Sequence, residues 1–96
     1  MTEYSAQVAT NHASRYLQQL CKHWSHKFDV SFDAQQGLVP QPMGAVNLNA
    51  DAETLSVRLS PQDGADVARM QAVVAEHINR FAFREGELVF DWQRVA

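Results

Sequence analysis

Apolar and polar residues alternate from Tyr4 onward, with Tyr4, Ala6 and Val8 on one side and Ser5 and Gln7 on the other, which predicts a half-buried strand over residues 4–10. The period then lengthens. Ala13, Leu17, Leu20 and Trp24 recur at helical spacing with Tyr16 beside them, and Thr10 or Asn11 can serve as N-cap, so a helix is expected to run to about His26. Phe28, Val30 and Phe32 alternate with Asp29, Ser31 and Asp33 in a second strand. Residues 35–44 contain Gly37, Pro40, Pro42 and Gly44 and read as a loop of about ten residues, longer than a tight hairpin needs. Val46 and Leu48, then Leu55, Val57 and Leu59, alternate with polar neighbours on either side of a turn at residues 51–53, giving a third and a fourth strand.

Ser60-Pro61-Gln62-Asp63 supplies a capping hydroxyl, a proline at the first helical position and an acidic third position, so the second helix is predicted to begin there. Val67, Met70, Val74, Ile78 and Phe81 form its apolar stripe, Gly86 can end the turn after it, and Leu88, Phe90 and Trp92 make a last strand. The order is β-α-β-β-β-α-β. It predicts an α+β fold in a single domain over residues 1–96: one five-stranded, mostly antiparallel sheet with both helices packed on one face. With three strands between the helices, strand parity makes the two helices run in the same direction and gathers their C-terminal ends at one end of the molecule.

Composition narrows the class. A hydrophobic fraction of 46% with 20% charged residues is that of a globular chain rather than a disordered one. The single Cys21 can form no internal disulfide, which fits a reducing compartment. The longest apolar run, at residues 72–75, is far too short for a membrane span or a signal-peptide core, so the protein reads as soluble and cytoplasmic with no membrane partner. A net charge of −3 offers no global attraction to a phosphate backbone, and the polar face of the sheet lacks the aromatics of sheet-based RNA readers; nucleic acid is not an expected partner.

Four of the eight basic residues, Lys22, Lys27, Arg80 and Arg84, lie at or just beyond the expected helix ends, together with His23, His26 and His77. Cations there answer the helix carbonyls and need no ligand to explain them. If the two ends converge, the same residues form a basic patch suited to an anion. Cys21, His23 and His26 invite a metal reading, but Cys21 and His23 point about 160° apart around a helix, and His23 with His26 supplies two ligands where zinc needs three or four. His23 and His77 each fall at the margin of an apolar stripe, where an imidazole is half buried; on co-directional helices they occupy the same flank, so a direct pair is disfavoured. No nucleophile elbow, phosphate loop or zinc-protease motif is present, and Cys21, beside the core stripe with no histidine on its helical face, reads as inert.

Val8-Ala9-Thr10, Arg15-Tyr16-Leu17, Leu20-Cys21-Lys22-His23, Lys27, the stretch His77-Ile78-Asn79-Arg80-Phe81-Ala82-Phe83-Arg84-Glu85, and Trp92 together resemble a bacterial family, domain-of-unknown-function family 2218. The likeness runs over nearly the whole chain. It supplies no catalytic residue, because the family's activity is not established; with no flavin or nicotinamide motif in the sequence, no cofactor is expected and this chain alone would not perform a reduction. It implies a context, since similar domains occur near or joined to flavin-dependent siderophore-interacting reductases. The expectation is a non-enzymatic binding or accessory module, linked to siderophore and iron metabolism, with His23, His26, Lys27, His77, Arg80 and Arg84 meeting an anionic small ligand or the reductase. The alternatives are a small enzyme with His77 as general acid or base, and a haem- or metal-binding protein using His23, His26 or His77.

Overall fold

The alternating segments pair into one antiparallel sheet, and the two helical stripes close over one face of it. The computed structural model describes residues 2–95. The order is β1 (Tyr4–Ala9), α1 (Ala13–Trp24), β2 (Ser31–Phe32), β3 (Gln36–Gln41), β4 (Gly44–Ala50), β5 (Thr54–Pro61), α2 (Val67–Phe81) and β6 (Gln93–Arg94). The sheet order is β2-β3-β4-β5-β1-β6, and every neighbouring pair is antiparallel. One continuous core lies between the layers. Leu17 and Leu20 of α1 and Met70, Val74 and Ile78 of α2 face Val39, Val46, Leu48, Leu55, Val57 and Leu59 of the sheet, all buried. Among the described residues no helix is long and apolar enough to cross a membrane.

The α+β class, two helices and a single antiparallel sheet agree with the sequence reading, but the sheet has six strands rather than five. The segment expected to be a loop at residues 35–44 is β3 and a tight turn. Gly37 points inward, where an added Cβ would lie 2.7 Å from Cys21 Sγ, so glycine lets α1 settle onto the sheet. Pro40 is tolerated for a reason of register. Ala50 N–H donates to Gln35 O and Asp33 N–H to Gln36 O, so even-numbered residues of β3 turn their backbone groups away from β4. Pro40 therefore faces the outer edge, beyond the point where β2 stops, and its missing N–H costs no ladder bond.

Three boundaries also move. Ser60 and Pro61 continue β5 instead of opening a helix: Ser60 is paired with Ala45, and its hydroxyl donates to Glu3 Oε2 at 3.0 Å. Asp66 caps α2, accepting from Arg69 N–H at 3.1 Å. The second strand shrinks to two residues because the chain is still finishing α1 at Phe28, whose N–H donates to Trp24 O. The last strand is displaced, since Leu88, Phe90 and Trp92 all lie outside it and β6 is Gln93–Arg94. Asn79 holds Leu88 through its backbone N–H at 2.7 Å, and Phe90 stacks on Trp92 at 5.9 Å, so only Gln93 and Arg94 reach the ladder with β1.

The additional strand reverses a direction. With β2 to β5 between the helices, parity sets α2 against α1 rather than along it. The contacts agree: His77 meets Trp24 and His23, Phe81 meets His23, and Glu85 in the turn after α2 meets Tyr16, so rising positions along α2 and beyond it meet falling positions on α1. The expectation that both C-terminal ends share one end of the molecule is thereby corrected.

Candidate functional site

The antiparallel helices divide the expected cluster between two cavities. Four of its six residues, His23, His26, Lys27 and His77, line the first, a cavity of about 380 Å³. The apolar lining comes from Trp24, Phe28 and Val73, and from Met43 in the β3–β4 turn, which gives part of the presumed loop a role in the site. Arg80 and Arg84 lie elsewhere, in a second cavity of about 400 Å³ at the opposite end of α1, with His12, Arg15, Tyr16 and Glu85.

In the first cavity the His23 and His77 rings stand 5.4 Å apart between centroids, and the Trp24 ring is 5.2 Å from that of His77. The pair disfavoured on co-directional helices is thus a contact, because reversing α2 brings its flank to face α1. His77 is half-buried and His23 is exposed, not half-buried as expected. His77 Nδ1 lies 2.7 Å from Val73 O. A carbonyl only accepts, so Nδ1 carries the proton in that bond, and Nε2 of the neutral ring is left as an acceptor. Trp24 is almost fully buried and fixes the wall behind the two imidazoles.

The metal alternative has two ligands in contact but not three. Among the described residues no three His, Cys, Asp or Glu side chains come close enough to hold one ion. Cys21 is fully buried, and burial pushes its thiol up to about 11, which removes it as a nucleophile at neutral pH.

The second cavity contains a network that links residues far apart in the chain. Tyr16 and Thr10 hydroxyls both donate to the Glu85 carboxylate, Thr10 at 2.8 Å to Oε2. The Tyr16 bond is the main cause holding the Glu85 carboxyl below its ordinary value, aided by Thr10 and the nearby His12 and opposed by desolvation. Burial, followed by the carboxylate beside it, raises the Tyr16 phenol above its ordinary value. Thr10 also accepts from His12 N–H at 3.1 Å at the start of α1. Thr10, His12, Arg15, Tyr16 and Glu85 had no part in the expected cluster. The signal available for Arg15 was its place: a cation in the first turn of α1, where the helix macrodipole disfavours it.

Two helices on a six-stranded antiparallel sheet, with one histidine-lined and one arginine-lined cavity, define a small α+β module. The chain belongs to the family described as "Uncharacterized protein conserved in bacteria (DUF2218)", which matches residues 5–93. It is similar to the NMR structure of PA4090 from Pseudomonas aeruginosa, at 34% identity over 97% of this chain and 96% of that one, with a TM-score of 0.80. No curated protein matches the chain.

Proposed function

We propose that this chain is a binding module whose site is the histidine-lined cavity, taking a small apolar or aromatic molecule that carries a negative charge. The observation that carries this reading is the convergence of His23, His26, Lys27 and His77 on one mainly apolar cavity backed by Trp24. The apolar lining favours a hydrophobic body, and the Lys27 ammonium with the exposed His23 and His26 rings provides donors for an anionic head. A cavity of about 380 Å³ is at the small end for ligand sites. It is large enough for an aryl carboxylate, or for one arm of a larger anion such as a ferric siderophore, which is where the siderophore context expected from the sequence would enter.

The test is NMR titration of the His23 and His77 ring protons and the Trp24 indole N–H with benzoate, and with a panel of ferric siderophores whose iron broadens nearby signals. Saturable shifts or broadening at these three residues, lost in a His77→Gln variant that stays folded, are expected. No change at any of them at high millimolar benzoate and with every siderophore would overturn the reading.

A second reading rests on the His77–Val73 bond. That bond orients the ring and leaves Nε2 as a base in the cavity that Lys27 and Gln41 also line. Turnover of a bound ester that disappears in His77→Gln while binding persists selects the enzyme; binding without turnover selects the module.

A further inference from the structure

The arginine-lined cavity is built differently and asks for a different ligand. Arg15 comes from the first turn of α1, Arg80 from the last turn of α2, and Arg84 from the turn that follows. Three of the chain's eight basic residues thus line one recess on a protein of net charge −3. Dipole compensation accounts for Arg80, but it runs the wrong way for Arg15, which sits at the positive end of its helix. That end has neither an acidic residue in its first turn nor a side-chain cap.

Local ion pairing does not use up this charge. The carboxylate in the recess, Glu85, has its oxygens bonded by the neutral hydroxyls of Tyr16 and Thr10. Glu76 and Glu87 border Arg80 on its other side. Among the described residues none of the three guanidinium groups is within ion-pair distance of any carboxylate. Phe83, which lines the same recess, is 70% exposed, with the Arg84 guanidinium 5.6 Å from its ring centre. An exposed aromatic under a cation is a surface on which a planar group can stack.

We infer that this recess binds a small phosphate monoester, with the phosphoryl oxygens shared among Arg15, Arg80 and Arg84 and its organic group against Phe83. Three forked cations around one volume match three terminal oxygens better than the two coplanar oxygens of a carboxylate. A monoester near neutral pH carries close to two negative charges, which offset what Glu85 leaves uncompensated.

Phenyl phosphate is the probe, followed in amide and arginine Nε–H spectra of the full chain. Saturable shifts at Arg15, Arg80, Arg84 and Phe83, with His23 and His77 unmoved, are expected, and inorganic phosphate should give the same arginine pattern more weakly. Arg15→Gln and Arg84→Gln, both at exposed positions, should each weaken binding by about tenfold or more with little change in melting temperature. Failure of phenyl phosphate to shift these residues at 10-millimolar order, shifts confined to the histidine cavity, or undiminished binding by the Arg15→Gln/Arg84→Gln double variant would each overturn the inference. Because benzoate reports on the other cavity, loss of one result leaves the other standing.

Discussion

Gly44→Ala is expected to be the most damaging small substitution in the chain. Gly44 opens β4 after the Pro42–Met43 turn with φ +140°, a region that side chains rarely enter, and an added Cβ would lie 2.3 Å from Ser60 O and 2.7 Å from Pro61 Cα. Both are backbone atoms of the neighbouring strand, so no rotamer change relieves the clash; β5 or the turn must move. Strain of this kind costs about 3 kcal/mol or more, which in a domain of this size lowers the melting temperature by roughly 10 to 25 °C. Since Met43 and Pro42 also line the histidine cavity, the variant should lose benzoate response before it unfolds. A melting temperature within about 3 °C of the parent would show that the strands are not so close.

Tyr16→Phe comes next, and its effect depends on pH in a defined way. Tyr16 is 4% exposed, and its hydroxyl ties the start of α1 to Glu85, 69 residues away. Removing the hydroxyl leaves the carboxylate with Thr10 alone. A hydrogen bond to a charged acceptor, discounted because Glu85 is exposed, puts the loss at about 1 to 2 kcal/mol at pH 7. The Glu85 carboxyl is held below its ordinary value of 4.5, so its contribution is complete above that pH and disappears as pH falls through the lowered folded-state value. The Tyr16 phenol is raised above its ordinary value of 10.0, so its contribution is complete below that pH and is lost as pH rises through the raised value. Denaturant melts of parent and variant should differ by a constant amount from about pH 5 to 9 and converge on either side. A difference that grows toward acid would mean that Glu85 is not the group Tyr16 serves.

How far the fold could be read from the chain depended on where packing agreed with local pattern. β1, β4 and β5 alternate cleanly because each presents Ala, Val or Leu to the helices and polar side chains to solvent, where Ser56 and Gln7, and Arg58 and Glu3, bond one another. β3 does not alternate. Its inward positions are Gly37 and Val39, and its apolar Leu38 points outward, 43% exposed, so the usual signal is inverted at one residue and erased at another. The Ser60-Pro61-Gln62-Asp63 pattern matched a helix cap, yet a paired strand and the Glu3 carboxylate claimed its residues first.

The site inherited these errors. Missing one strand reversed α2, and that reversal exchanged partners: His77 moved to His23, while Arg80 and Arg84 moved to Arg15. The residue types were legible, since histidines and cations flanking apolar stripes stand out in the chain. Their grouping was not, because it is fixed by helix direction. Tyr16 and Glu85 gave no local sign of meeting. The stretch from His77 through Glu85 that carries the family resemblance now has distinct duties along its length: His77 faces one cavity, Asn79 holds Leu88, and Arg80, Arg84 and Glu85 face the other.

The arrangement of both cavities rests on α2 running against α1, and through-space NMR contacts between aromatic protons test it without any ligand. Cross-peaks should join the His77 ring to those of His23 and Trp24, whose centroids lie within 5.4 Å and 5.2 Å of it, and should join Tyr16 to the side chain of Glu85. Cross-peaks that instead connect His26 and Lys27 with Arg80 and Arg84, with none between His23 and His77, would restore co-directional helices and contradict both proposed sites.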